Sequence, residues 1–370
     1  MQFIDLKKQY KLIETEVLQS IQAVLEHGQY IMGPEIPKLE RQLADFIGVR
    51  HAIVNSSGTD ALFMALLALD IKPGDEIITS PFSFFASAEV IALCHAKPVF
   101  VDIDPLTYNI DATKIAAVIT QNTKAIMPVS LYGQCPDMVM INNIAKQYGL
   151  PVIEDAAQSF GATYNGVYSC ALSTIGCTSF FPSKPLGGYG DAGACFTDDD
   201  NLAEKLIEIR NHGQHTRYSH SRIGINGRMD SIQAAILIEK MKLFPDEILM
   251  RQKVAQRYKN LLDGSVITPH VLPGHTSVFA QYTIEVPNRN QFQKDMQDLG
   301  IPTAVHYPIS MHEQQALEYL GYRTGDFPHS ERASKQVVSL PMHPYMTIEE
   351  QQRVADGVKI CLATEMAEAL

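Results

Sequence analysis

Two residues in this chain have the type and setting for covalent chemistry. Lys184 is a lone lysine in the apolar, turn-rich stretch Thr178-Ser179-Phe180-Phe181-Pro182-Ser183-Lys184-Pro185-Leu186-Gly187-Gly188. Such a lysine has two readings. It can be a surface residue whose stem lies along apolar neighbours, which taken alone is the commoner case. It can also be a desolvated amine with a lowered pKa, fit to form a Schiff base with a carbonyl. Asp155 closes the apolar run Pro151-Val152-Ile153-Glu154-Asp155, which continues as Ala156-Ala157-Gln158-Ser159. A third feature is the turn Ser56-Ser57-Gly58-Thr59, between a strand-like run and a helix-like one. Free N–H groups and the helix dipole at such a place suit a phosphate, although an ordinary N-cap uses the same residues.

Taken together, the three features are more informative. A pyridoxal phosphate site needs a lysine for the aldehyde, an acid that keeps the pyridine nitrogen protonated, and a cup for the phosphate. Lys184, Asp155 and the Ser56–Thr59 turn supply these parts in one chain. A literal G-x-G-x-x-G also occurs at Gly188, Gly190 and Gly193, but it runs into the strand-like Ala194-Cys195-Phe196-Thr197. The dinucleotide fingerprint should follow a strand and open a helix, so a nicotinamide site is not expected there.

The pattern of elements must bring these residues together. Strand-like runs at 51–55, 76–79, 98–102, 123–129 and 151–155 alternate with helical patterns at 60–69, 84–94, 111–119 and 138–148. That alternation predicts an α/β fold with a mostly parallel sheet covered on both faces. Ligands then bind outside the carboxyl ends of the strands. Runs at 173–180 and 193–197 follow, then a long helical stretch from Asp230 to about Leu262. Beyond it come a strand at 281–286 and helices at 291–299 and 348–361. Helices at 13–25 and 36–47 precede the alternating region. The expected organisation is a large domain over residues 1–250 and a smaller C-terminal α/β domain over 251–370.

Composition narrows the function class. The 370 residues carry 30 Lys plus Arg against 41 Asp plus Glu, a net charge of −11, which argues against nucleic acid or an anionic membrane as partner. The six cysteines form no C-x-x-C pair and the histidine spacing fits no metal site, so neither a disulfide framework nor a metal centre is expected. The amino-terminal residues do not read as a signal peptide, and no apolar run approaches the roughly 20 residues that span a bilayer. A cytoplasmic protein is expected.

Several motifs extend this reading. Gly33-Pro34-Glu35, Asn55–Leu62, Pro73-Gly74-Asp75-Glu76, Val101-Asp102-Ile103-Asp104, Glu154–Ser159, Ser179–Gly193 and Gly224–Met229 together resemble the DegT/DnrJ/EryC1/StrS sugar aminotransferases. These are pyridoxal phosphate enzymes of fold-type I. The resemblance runs from about residue 3 to 360 and implies roles residue by residue. Lys184 would carry the cofactor and move the proton, and Asp155 would pair with the pyridine nitrogen. Gln158 would lie beside the ring and Phe84 would stack on it, with Phe85 as the core neighbour. Gly58, Thr59, Asp60 and Ser179 would hold the phosphate. Asn226 would reach it from a second subunit, making the enzyme a homodimer with shared active sites. Some relatives carry His in place of this lysine and act as dehydratases; Lys184 places the chain on the aminotransferase side.

The resemblance also implies a nucleotide-linked keto sugar as substrate and L-glutamate as amino donor. Pro302–Pro308 is similar to members that aminate C3. Pro128–Cys135, with Ser130 where many members carry His, and Ser339–Pro344 resemble the branch acting on UDP-2-acetamido-2-deoxy-3-oxo-glucuronate, in the supply of lipopolysaccharide O-antigen sugars. Arg228 would then bind the sugar carboxylate across the dimer interface, with a structural ion pair at that interface as its plainer role, and His306 and Tyr307 would add hydrogen bonds to the sugar and diphosphate region. UDP-3-oxo-N-acetylglucosamine and a dTDP-3-keto-6-deoxyhexose are the alternative substrates. A regulator that keeps the fold without catalysis is the remote alternative.

Overall fold

The computed structural model describes residues 1–368. Its strands are, in chain order, β1 His51–Asn55, β2 Glu76–Thr79, β3 Lys97–Phe100, β4 Thr123–Ile126, β5 Ile153–Asp155, β6 Thr163–Tyr164, β7 Val167–Tyr168, β8 Ile175–Ser179, β9 Gly193–Thr197, β10 Gln214–Thr216, β11 Ser219–His220, β12 Tyr282–Glu285 and β13 Val337–Leu340. The strands β3-β2-β4 and β5-β8-β9-β1 form two runs, which the parallel bridges Ile126↔Val152 and Val129↔Asp155 join edge to edge. The sheet order is therefore β3-β2-β4-β5-β8-β9-β1. Only β9 runs against its neighbours, so the sheet is mostly parallel, as the alternation of elements requires. β6–β7 and β10–β11 are small hairpins outside it.

The two faces of the sheet follow from the strand period of two. Ile53, Cys177 and Cys195 point to one face, where the helix Gly58–Ala68 lies between the helices Ala86–Leu93 and Asp200–Arg210. Gly58–Ala68 is apolar all round, with Ala61, Leu62, Met64, Ala65, Leu66 and Ala68 all buried, as a helix enclosed by neighbours must be. Ala52, Val54, Ala194 and Phe196 point to the other face, under the helices Glu35–Ile47 and Ser231–Met241. Phe160 stacks on Phe244 there at 5.6 Å and meets Phe180 edge-on at 5.5 Å.

The helical stretch expected from Asp230 to Leu262 is two helices, Ser231–Met241 and Phe244–Leu262. Pro245 lies in the first turn of the second. Proline lacks the N–H that a continuing helix needs, and its ring clashes with the carbonyl four residues back, but it is well placed where a helix begins. The second helix passes between two cores. Phe244 packs with the sheet, whereas Val254, Ala255, Tyr258 and Leu262 pack with Tyr282, Ile284, Val338, Leu340 and Val354 around the antiparallel pair β12–β13. The expected helix at 111–119 is also shorter, Ala112–Ile115 followed by a tighter turn over Ala116–Val118.

Candidate active site

The parallel strands place Asn55, Thr79, Asp155 and Ser179 at one edge of the sheet, each the last residue of its strand. This is the edge where open α/β sheets bind ligands. Asp155 is 5% exposed. Its Oδ2 accepts from Ser87 Oγ at 2.7 Å and its Oδ1 from the Ala157 N–H at 3.2 Å. Burial pushes its carboxyl above the usual range, while those two hydrogen bonds and the Lys184 charge act in the opposite direction.

Its neighbour Glu154 points to the other side of the strand. There it accepts from Ser130 Oγ and Ser169 Oγ, each at 2.7 Å, and from the Cys170 N–H at 2.8 Å. Fully hydrogen-bonded in this way, Glu154 anchors the strand, and Asp155 is the acid that faces the cleft. Ser130, which stood out in the sequence, is one of the residues holding it.

Lys184 sits in the turn after β8. Its N–H donates to the Phe181 carbonyl at 2.9 Å, and the Gly188 N–H returns to the Phe180 carbonyl at 2.7 Å. The turn is tight: a Cβ on Gly187 would meet the Pro182 carbonyl oxygen at 2.4 Å. Burial lowers the Lys184 pKa and the Asp155 charge opposes the shift. No hydrogen bond or ion pair engages its ammonium among the described residues, which leaves the amine available.

Beside it, the helix Gly58–Ala68 opens toward the same edge. Ser57 caps it by accepting from the Asp60 N–H at 3.1 Å, and the Ala61 N–H donates to the Ser57 carbonyl at 2.9 Å. The N–H groups of Gly58 and Thr59 have no acceptor in the described chain, the usual state of first-turn donors. Ser56 Oγ is hydrogen-bonded to Asp60. A Cβ on Gly58 would lie 2.6 Å from Ser179 Cβ, so only glycine lets the turn close on Ser179. The Ser179 hydroxyl accepts from the Phe181 N–H at 3.2 Å.

The rest of the cleft comes from distant segments. Gln158, 2% exposed, accepts from the Tyr132 N–H at 2.8 Å and donates from Nε2 to the Tyr307 hydroxyl at 3.0 Å. His306 Nδ1 meets Ser339 Oγ at 2.9 Å, and the Tyr132 hydroxyl donates to the His306 carbonyl. Burial and the Lys184 charge push the His306 imidazole down to about 4, so it is neutral near pH 7. Burial and the Asp155 charge push the Tyr307 phenol up. The Phe84 ring is 55% exposed and lies 6.0 Å from the Tyr307 ring. Phe85 packs inward with Ala88 and Phe100, which leaves Phe84 as the aromatic face on the cleft.

Asn226 and Arg228 lie on a loop held against the phosphate-type turn, because the Ser56 N–H donates to the Gly227 carbonyl at 3.0 Å. Asn226 is exposed. Arg228 Nη1 donates to Asn211 Oδ1 at 2.8 Å, and its Nε is buried without a partner. Within the chain, neither side chain bonds to Asp155, Lys184 or Tyr307.

Sequence reasoning missed Ser87, Tyr132 and Ser339. Ser87 carried a signal, a hydroxyl three residues after Phe84 entering an apolar helix; Tyr132 and Ser339 lie in the segments Pro128–Cys135 and Ser339–Pro344 that stood out, but nothing there marked them individually. A grouping of Glu204, Glu208 and His215, whose donor atoms lie within 4.8 Å of one another, also went unread because it contains a single histidine. Glu208 is already taken up by Arg222, Ser221 and His215.

The donor set fits pyridoxal phosphate. It offers an uncommitted, desolvated amine, a buried carboxylate whose raised pKa a cationic ring nitrogen would bring down, and two free N–H groups at a helix start where Gly58 is packed too tightly on Ser179 for a side chain. All six cysteines are buried, and no helix among the described residues is long and apolar enough to cross a membrane.

Residues 11–359 match the DegT/DnrJ/EryC1/StrS aminotransferase family. The chain is 53% identical to the UDP-2-acetamido-2-deoxy-3-oxo-D-glucuronate aminotransferase of Pseudomonas aeruginosa, over 94% of this chain and 96% of that protein. It is 44% identical to a pleiotropic regulatory protein of Geobacillus stearothermophilus, over 96% of each. Among solved structures, NtdA from Bacillus subtilis with bound cofactor PMP superposes with a TM-score of 0.88 at 35% identity, covering 98% of this chain and 83% of that one.

Proposed function

Because the chain belongs to the DegT/DnrJ/EryC1/StrS aminotransferase family, we propose that it carries the amino group of L-glutamate to C3 of UDP-2-acetamido-2-deoxy-3-oxo-glucuronate, with pyridoxal 5′-phosphate as cofactor. The observation that carries the reading is that Lys184 and Asp155 are both buried and feel one another's charge, beside two unengaged first-turn N–H groups. The likeness to the Pseudomonas aeruginosa enzyme supports the choice of sugar, and supplying O-antigen sugars in the cytoplasm is the corresponding role.

The N–H groups of Gly58 and Thr59 and the Ser179 hydroxyl would hold the phosphate, joined by Asn226 of a second copy in a homodimer; Asp60, expected among them, has its N–H engaged by Ser57 Oγ and shapes the turn instead. Asp155 would keep the pyridine nitrogen protonated, with Phe84 on the ring face and Gln158 at its edge. When bound, the group supplies an electron sink that eases removal of the proton from the substrate carbon. Lys184 Nζ would take the proton from Cα of glutamate; the amino group would stay with the cofactor, water would supply the new oxygen of the departing 2-oxoglutarate, and in the second half-reaction Lys184 would deliver a proton to C3 of the sugar, whose keto oxygen leaves as water. A lysine at its ordinary pKa would be protonated at neutral pH and a poor base; burial brings Lys184 toward the working range. Arg228 binds the uronate carboxylate in a two-pronged contact. His306, neutral and held by Ser339, and Tyr307, held by Gln158, orient the sugar.

The test is a substrate panel of the 3-oxo-glucuronate, UDP-3-oxo-N-acetylglucosamine and a dTDP-3-keto-6-deoxyhexose, run with wild type and Arg228→Ala. The reading expects the uronate to be preferred and its kcat/KM to fall by at least about tenfold in the variant, with the neutral sugars little changed. An equal loss on all three removes Arg228 from carboxylate recognition. A protein that takes up no cofactor chromophore would favour a regulatory role instead.

A further inference from the structure

Behind the Lys184 turn lies a small cavity of about 20 Å³, lined among others by Gln9, Lys184, Lys240, Glu247, Arg251 and His343. Its charges do not balance. Lys240 is 1% exposed and Arg251 4%, against the single carboxylate of Glu247 at 2%. Asp5 also reaches the wall, but it is paired with Lys8. Glu247 Oε1 is taken up by neutral donors, Gln9 Nε2 at 2.6 Å and the Tyr345 hydroxyl, and neither cation bonds to it.

The cations are poorly satisfied. The Lys240 ammonium makes no hydrogen bond or ion pair among the described residues and has only the Tyr189 ring, 4.8 Å away. Arg251 Nη1 reaches the Phe279 carbonyl at 3.3 Å, while its Nε is buried with no partner. His343 Nδ1 is likewise buried without a partner. Burial lowers Lys240 to about 8 and Arg251 to about 10, with the Glu247 charge opposing both shifts. Buried charge without a counter-charge is costly, and a cavity above roughly 10–15 Å³ admits one body the size of a water molecule.

We propose that this cavity binds one small monovalent inorganic anion of the halide class, chloride in the cell, between Lys240 and Arg251. The anion supplies the missing negative charge and accepts from donors that have no other acceptor. It ties together the amino-terminal segment, the helices Ser231–Met241 and Phe244–Leu262, and the wall shared with the Lys184 turn. The site backs onto the cofactor cleft through Lys184, and the inference does not depend on the choice of sugar.

The test uses the full-length protein moved into sodium gluconate and titrated with sodium chloride at constant ionic strength. We expect Tm to rise saturably by about 2 °C or more, and Lys240→Met to abolish the response. Crystals grown in bromide should show an anomalous peak between Lys240 and Arg251. The bromide arm uses wild type and decides the matter even if Lys240→Met does not fold. A cavity without bromide overturns the proposal whatever Tm does, and so does a Tm indifferent to chloride.

Discussion

Ser87 Oγ donates to Asp155 Oδ2 at 2.7 Å, joining the start of the helix Ala86–Leu93 to the last residue of β5. The bond fixes the direction of the carboxylate and counteracts the effect of its burial. Without it, the same burial would push the Asp155 carboxyl further up. Ser87→Ala should therefore move the acid limb of the kcat/KM profile to higher pH, leaving the plateau nearly intact. A kcat/KM titration measures this, and an unmoved limb would show that Ser87 does not tune Asp155.

Asp155→Asn removes the charge itself. The Asp155 charge raises the Lys184 pKa against burial, so the variant should leave Lys184 further depressed. It should also lose about 10²–10⁴ in kcat, the usual scale for a group that acts on proton transfer. Isotope-edited NMR of the lysine amine together with steady-state kinetics separates the two effects. Retained kcat would remove Asp155 from the chemistry.

Lys184→Ala should lose at least about 10³-fold in activity while keeping its fold, because the Lys184 ammonium holds nothing together. Borohydride reduction should attach cofactor to wild type and not to the variant. Mass spectrometry of the Lys184 peptide gives the answer, and an attached cofactor in the variant would place the link on another residue.

Gly58→Ala forces a Cβ to within 2.6 Å of Ser179 Cβ. Overpacking of this kind costs about 1–3 kcal/mol, and the turn must also open away from Ser179. Urea unfolding should show the stability loss, and equilibrium dialysis a weaker hold on pyridoxal phosphate. Normal cofactor affinity would mean that the turn is not the phosphate cup.

His343 makes stability depend on pH. Burial holds its imidazole at about 4 in the folded chain, against 6.5 for a free one. The charges of Lys8 and Arg251 act with burial, and those of Glu350 and Asp5 against it. As pH falls from about 6.5 to 4, the unfolded chain takes up this proton first, so stability drops across that window and is whole above it. The contribution is about 3 kcal/mol at most. Wild type should lose about 1 kcal/mol per pH unit more than His343→Gln over that range. Parallel urea titrations at pH 7.5 and 5.5 check it, and parallel slopes would contradict it.

Much of this protein is legible from local pattern. The alternation of apolar runs and helical periods determined the mostly parallel sheet, because each strand buries both faces and each helix one stripe. Lys184, Asp155 and the Ser56–Thr59 turn were legible because a lysine in an apolar turn, an acid at a strand end and a small polar helix start each depart from what packing alone would select. The break at Pro245 could be read from the missing N–H, yet the apolar period across it suggested one helix. Pairing over long separations was not legible. Ser87 with Asp155, Gln158 with Tyr307, and His306 with Ser339 each join segments whose order in the chain says nothing of their distance. That Asp155 faces the cleft was read from the sequence; what holds the adjacent Glu154 on the other side, the Ser130 and Ser169 hydroxyls, was not. The unbalanced charge around Lys240 and Arg251 likewise arises only when helices and termini far apart in sequence fold onto one cavity and exclude the water that would have solvated them.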